Sequence, residues 1–254
     1  MFDTGGMARD AAGLVVIDPA DLQRLARAVR PTSLAGERTL PVLSALQPLM
    51  PHGGLARGSV VDVSGPGSTS FVLALAAGAS RTGSWLGFVG DEGIGWAAAA
   101  RRGIAMSRTI VVPDVPSGQW SMVGAALLDA LDIVVVAPSW PVRQAAARRL
   151  AARGRERGSV LLVLATRFAW PEPADLTFTL DDSRWAGLGD GHGHLRSRRV
   201  TVHRSGRRAA SQRRDLDLWL PADDGEITID ADSSRADPSA AGPGDPQERH
   251  LRAV

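Results

Sequence analysis

The sequence predicts an α/β domain of three layers, doubly wound around a mostly parallel sheet that finishes with antiparallel strands. Three observations predict it. Between residues 59 and 80 a β-branched run, Val60-Val61-Asp62-Val63, passes through Gly65-Pro66-Gly67 into the helical stretch Phe71 to Ser80; this is the layout of a phosphate-binding strand, loop and helix. From 85 to 164 short apolar runs alternate with stretches of helical period, the pattern of βα units with strands buried on both faces. After Pro171 the apolar runs are short and partly alternating, as antiparallel strands are.

Taken in order, residues 1–50 form an arm. Met1 to Gly13 is Gly-rich and polar and is expected to be disordered. Asp18-Pro19-Ala20-Asp21 reads as a helix N-terminus, and Leu22, Leu25, Ala26 and Val29 make one apolar stripe that Pro31 ends. Residues 31 to 51 carry Pro31, Pro41, Pro48 and Pro51 and read as a strapped connector. The core spans 51–220. Its strands are Val60 to Val63, Trp85 to Val89, Thr109 to Val112, Ile133 to Val136 and Val160 to Leu164. Its helices are Phe71 to Ser80, Trp96 to Arg102, Trp120 to Leu131 and Val142 to Arg157. Leu176 to Leu180, Arg198 to His203 and Asp215 to Leu220 complete the sheet, with Gly187 to Gly193 as a turn. Residues 221–254 are acidic and rich in Pro, Ser, Asp and Gly, and are expected to form a disordered tail.

Composition removes several classes of chemistry. The chain has no Cys, so disulfides, thiolate metal sites and Cys nucleophiles are excluded and a cytoplasmic location is expected. No apolar run is long enough to span a membrane. All 29 basic residues are Arg, and Lys and Tyr are also absent. Almost nothing then titrates between His and Arg, so a net charge of only +2 gives a pI of about 10.6. The distribution of charge says more than the pI. Residues 141–214 hold 16 Arg against six acids, a net +10, whereas 215–254 hold ten acids against three Arg, a net −7.

The phosphate-loop layout lacks its chemistry. A working loop presents about five residues of N–H groups to the phosphates, followed by Lys and then Ser or Thr. Here Gly65, Pro66 and Gly67 form a shorter arc, and Ser68 and Thr69 follow with no Lys in the chain. Arg is a poor substitute, because its planar fork does not fit where a slim ammonium does.

Gly53-Gly54-Leu55 with Gly58, the strand into Gly65-Pro66, and Phe88 to Glu92 follow one another in an order that resembles the core of the RecA recombinase family across residues 46–137. That resemblance implies a RecA-like sandwich in which Glu92 stands where the catalytic glutamate would. It also exposes departures: Ala137-Pro138 replaces the magnesium-holding acid, Thr166 replaces the γ-phosphate-sensing glutamine, and both DNA-entering loops are short. Glu92 alone, without phosphate and metal grips, performs no hydrolysis; it reads better as a loop carboxylate capping the helix at Gly93 to Ala97. Trp185 to Gly189, His192 to Arg196 and Arg198-Arg199-Val200, together with the eroded nucleotide motifs, resemble the ImuA group, particularly its actinobacterial ImuA-prime branch. This implies a non-enzymatic accessory protein in damage-induced mutagenesis (translesion DNA synthesis within the SOS response). The implied partners are a Y-family polymerase homologue (ImuB-like), an error-prone replicative-type polymerase and RecA, with weak DNA binding and no cofactor. Two other readings remain open: a divergent ATPase using Glu92 and Thr69 with an arginine supplied in trans, and a division inhibitor of the SulA kind.

Two basic zones are candidates for a partner or nucleic acid. Arg149, Arg153 and Arg157 recur at helical spacing and make one positive stripe; a solvated face, an acidic partner and a phosphate backbone all fit it. Arg196, Arg198, Arg199, Arg207 and Arg208 surround a hairpin whose Trp185 either stacks on a base or anchors the hairpin core. His192 and His194 flank a glycine without the further ligands that zinc requires, so no metal site is assigned.

Overall fold

The computed structural model describes residues 7–9, 15–17, 38–90, 93–165, 168–189, 192–207 and 210–231. The amphipathic helix expected around Leu22 to Val29 lies outside the described residues, as do Glu92, Thr166, Arg208 and the tail beyond 231.

The described strands are β1 (Met7–Arg9), β2 (Val15–Ile17), β3 (Thr39–Pro41), β4 (Gly54–Ala56), β5 (Val60–Ser64), β6 (Leu86–Val89), β7 (Thr109–Val112), β8 (Ile133–Val136), β9 (Val160–Ala165), β10 (Leu176–Gly189), β11 (His192–Gly206), β12 (Arg214–Trp219) and β13 (Thr228–Ile229). The α-helices are α1 (Ser68–Arg81), α2 (Trp96–Arg101), α3 (Trp120–Ala130) and α4 (Gln144–Arg157). Eleven strands form one sheet in the order β1-β2-β7-β6-β8-β9-β5-β10-β11-β12-β13. Neighbours from β2 through to β10 run parallel, while β1–β2 and the pairs beyond β10 are antiparallel.

The period-2 alternation of each central strand assigns its side chains to two cores. Val61, Val63, Phe88, Val111, Val135 and Leu162 pack on one side with Phe71 and Leu75 of α1. Ile110, Val112, Val134, Val136, Leu161 and Val163 pack on the other with Leu127 of α3 and Leu150 of α4. Phe71 meets Phe178 of β10 edge-on at 5.1 Å, and Phe88 meets Trp96 of α2 at 5.0 Å. The molecule is therefore an α/β layered domain with a large mixed sheet, as the sequence predicts.

The Pro-rich connector is a strap across α1. Leu40, Leu46 and Leu49 are buried, and a side chain at Gly78 would place its first carbon 2.5 Å from the Val42 carbonyl carbon. Only glycine allows that crossing.

The structure differs from the sequence reading at three places. Met7–Arg9, expected to be disordered, pairs with β2; its backbone finds partners that its composition does not announce. The β10–β11 hairpin extends to Gly189 and His192, well past the strands read from apolar alternation, because the ladder bonds are made by backbone whatever the side chains. Residues 221–231, assigned by composition to the tail, pack onto the core: Ile227 is buried, the Ala222 N–H donates to Glu226 O at 2.8 Å, and β13 pairs with β12. One buried isoleucine and the last strand of the sheet outweigh the local excess of acid and turn residues.

Candidate functional site

At the carboxyl end of β5 the chain turns into α1 within Gly65, Pro66 and Gly67. Gly65 and Gly67 both take positive φ, 95° and 89°, and the Ser68 N–H folds back to Gly65 O at 3.2 Å. The turn is closed rather than open-arched. A Cβ at Gly65 would lie 2.0 Å from Leu180 O, so β10 presses directly on the loop. Ser68, in the lysine position, is buried; Thr69 is half-buried on the first helical turn.

The β10–β11 hairpin folds against this turn. A β-bulge between Asp181 and Arg184, with Asp182 at φ 44°, bends the hairpin. Beyond the bend Trp185 pairs with Arg198, whose guanidinium lies 5.0 Å from the Trp185 ring centroid. A Cβ at Gly67 would meet that guanidinium at 2.5 Å. Arg198 is 8% exposed; its Nε donates to Leu220 O at 2.9 Å, and its Nη2 has no hydrogen-bond partner. Arg102, following α2, is equally buried, and its Nε is also without a partner. Burial pushes the pKa of both guanidiniums down; Arg198 is lowered further by Arg102, and Arg102 by Arg101, with Glu226 opposing the shift at Arg102.

The residues that the sequence groups by charge separate in space. In the α4 stripe, Arg153 donates to both oxygens of Asp129 on α3 and to Glu156 at 2.9 Å, and Arg157 reaches Asp129 at 3.2 Å. The carboxylates hold the Arg153 guanidinium above its ordinary pKa, hydrogen bonding to Asp129 contributing most. Arg148 pairs with Glu172 at 2.7 Å, and Arg149 stays exposed. The continuous positive stripe is thus interrupted by carboxylates. In the hairpin zone, Arg199 pairs with Asp217 at 3.1 Å and Asp230 at 2.5 Å, and Arg207 donates to Pro173 O at 3.2 Å. Arg204 is buried among the carbonyls of Leu49 and Gln212. Arg196 is exposed, and so is Trp185 at 44%, which is therefore a surface residue rather than the anchor of a hairpin core.

Sequence reasoning missed Arg101 and Arg102, and missed Asp129 as the counter-charge of α4. The available signal for the first was an arginine pair closing an otherwise alanine-rich helix, which also fits ordinary complementation of the helix dipole. Asp129, among the apolar residues of α3, is legible only once α3 and α4 are known to lie side by side.

Ala137, where the resemblance would require a magnesium-holding acid, is buried, and its N–H donates to Val89 O at 3.2 Å. Among the described residues no group of three or more His, Asp or Glu is placed to hold a metal ion, and no helix is long and apolar enough to cross a membrane. A second cleft, of about 700 Å³, lies at the amino ends of the parallel strands beside Arg57 and Asp132. These two form a 3.0 Å ion pair, and Asp132 also accepts the Trp85 N–H at 3.0 Å. That arrangement ties the loops together.

Residues 48–172 match the family described as MT3502 N-terminal domain. The match runs from the end of the strap through β9 and takes in the β5–α1 loop, Arg101 and Arg102. It stops before the hairpin that carries Trp185, Arg196 and Arg198. The chain is also similar to the uncharacterized protein Rv3395c of Mycobacterium tuberculosis (strain ATCC 25618 / H37Rv), at 36% identity over 118 residues, 45% of this chain. It covers 56% of that protein, so it spans just over half the length of the curated relative it matches.

Proposed function

We propose that this protein is a non-enzymatic, RecA-like accessory protein in DNA-damage-induced mutagenesis, acting in the cytoplasm as an adaptor for translesion synthesis. It works with a Y-family polymerase homologue of the ImuB kind and an error-prone replicative-type polymerase, with RecA as a further contact. The finer assignment to the ImuA-prime branch rests on the hairpin residues Trp185 to Val200 and on the erosion of the nucleotide motifs. The layered sheet, with a glycine-bounded turn at the carboxyl end of β5, is compatible with a RecA-like sandwich.

The observation that carries the non-enzymatic reading is the closed turn at Gly65 to Gly67 with the Arg198 guanidinium against it. A phosphoryl-transfer site works by positioning phosphates with N–H groups, a cation and a metal ion. Here the Ser68 N–H is bonded back to Gly65 O, and the Arg198 side chain, fixed to Leu220 O, lies against Gly67. The fold then serves as a rigid support for surfaces that hold other proteins.

Two measurements test the reading. Titration calorimetry of the full chain with MgATP is expected to show no binding up to millimolar concentration; magnesium-dependent binding in the micromolar range would restore the ATPase alternative. Co-purification of the full chain with the Y-family polymerase homologue and with the replicative-type polymerase is expected to recover a complex, and failure with every one of these partners would overturn the adaptor assignment.

A further inference from the structure

A cleft of about 620 Å³ runs between the first turn of α1, the end of α2, the β10–β11 hairpin and the turn between β12 and β13. Its floor and mouth differ in a useful way. Arg102, which lines it, is 8% exposed, and its Nε has no hydrogen-bond partner. A buried donor of this kind is costly unless an anion meets it. At the mouth, Arg101 and Arg196 are exposed. Beside them Trp185 and Leu195 present apolar surface at 44% and 48% exposure.

The opposite rim is acidic. Asp223, Asp224 and Glu226, on the turn between β12 and β13, line the same cleft. None of them closes an ion pair with the cleft arginines among the described residues. Glu226 pairs instead with Arg81, at 3.8 Å, and Asp224 accepts the Glu226 N–H at 2.9 Å. The rim carboxylates therefore leave the exposed guanidiniums of Arg101 and Arg196 without an ion pair among the described residues.

We propose that this cleft binds an acidic peptide segment bearing an apolar side chain, its carboxylates meeting Arg101, Arg102 and Arg196 and its apolar group covering Trp185 and Leu195. Arginine forks match carboxylates in a bidentate manner, and an exposed tryptophan beside arginines is the composition of a binding hot spot. The acidic rim favours a peptide over a nucleic acid. A nucleic-acid strand carries a phosphate at every nucleotide and would bring charge against Asp223, Asp224 and Glu226, whereas a peptide can space its acids to fall on arginines alone. A nucleotide is disfavoured as well, because the arc from Gly65 to Gly67 is only three residues long and the Ser68 N–H is already bonded to Gly65 O. The rim carboxylates compete for the same guanidiniums and so set the threshold for binding.

The site stands apart from the mutagenesis assignment, since the probe that tests it carries no partner sequence. Fluorescence anisotropy on the full chain would use a short fluorescein-labelled peptide of Asp, Glu and Ser around a central Leu, its Asn/Gln counterpart, and an oligo(dT) of matched charge. The acidic peptide is expected to bind about tenfold or more tighter than its amide counterpart. The surface double variant Arg101→Gln/Arg196→Gln, chosen because neither residue is buried, is expected to weaken the acidic peptide about tenfold. Trp185→Ala should weaken it several-fold, and Asp223→Asn/Asp224→Asn/Glu226→Gln should tighten it about threefold or more. Equal binding of the amide peptide, no change in the double arginine variant, or tighter binding of oligo(dT) through the same arginines would each overturn the proposal. So would the absence of any binding by the acidic peptide.

Discussion

Two groups of arginines in this molecule look alike on paper and differ in kind. On α4, Arg153 and Arg157 converge on Asp129 and Arg148 meets Glu172, so positive charge at the surface is returned almost at once by carboxylates. Beside the β5–α1 turn, Arg102 and Arg198 are buried more deeply and have fewer partners. The regular helical spacing of the first group is the stronger sequence signal, yet the second group holds the unmet electrostatic demand. A run of charge records where solvent-facing residues fall; only the neighbouring elements decide whether that charge is available to a ligand. This is why the cleft, and not the stripe, is the better candidate for recognition.

The largest effect that would test the contrast comes from Arg198. Arg198→Ala removes the donor to Leu220 O, uncovers Gly67 and leaves a void beneath Trp185, and is expected to cost about 2–3 kcal/mol in urea unfolding. Arg198→Met keeps much of the volume and discards an incompletely paired buried charge, so its loss should stay below about 1 kcal/mol. Arg149→Ala, on the exposed face of α4, is expected to fall within about 0.5 kcal/mol of wild type. If Arg198→Ala were as mild as Arg149→Ala, the two groups would not differ as described.

Much of the frame was legible in the sequence. Thr109–Val112 and Ile133–Val136 are read to the residue, because a short apolar run bounded by turn residues admits little else. The helix Ser68–Arg81 is also recognised, from its apolar period, although the sequence reading of Phe71 to Ser80 starts three residues late and stops one short. The site is less legible. The short loop at Gly65 to Gly67 can be counted from the sequence, but its closure by Arg198 depends on a bend at Asp182 and on a partner some 130 residues away in the chain. Arg101 and Arg102 belong to an unremarkable helix end until the hairpin folds over them. Residues 221–231 were hidden by their composition: one isoleucine, Ile227, anchors a turn that is otherwise acidic and polar.

His203 offers a smaller test on the compensated side, on the same strand as Arg198. Its ring lies between Asp215, at 2.9 Å, and Asp181, at 3.0 Å. Hydrogen bonding to Asp215 first, and then to Asp181, holds its pKa above the ordinary 6.5, with partial burial opposing. Because the folded-state pKa is raised, the contribution to stability is complete below about pH 6.5 and is lost as pH rises through the folded value. The side chain is 40% exposed, so screening by solvent leaves about 0.5 kcal/mol. Unfolding midpoints of wild type and of Asp181→Asn/Asp215→Asn should differ at pH 5.5 and converge towards pH 8.5. A difference that persisted at high pH would mean that the two carboxylates act through something other than the imidazolium.

The smallest expected effect bears most directly on whether the stripe is inert by design of its neighbours. Asp129→Asn leaves Arg153 and Arg157 in place and removes the carboxylate they share. The α4 face then becomes what its sequence suggests, a positive strip with no counter-charge of its own beyond Glu156. Anisotropy with single-stranded DNA is expected to show a gain of about twofold at low salt, fading near 0.15 M as screening shortens the reach of exposed charges. A gain of this size fits a face that Asp129 merely neutralises. A gain of tenfold or more would mean that α4 is a nucleic-acid surface held in check by a single acid, and the contrast between stripe and cleft would then reduce to one carboxylate.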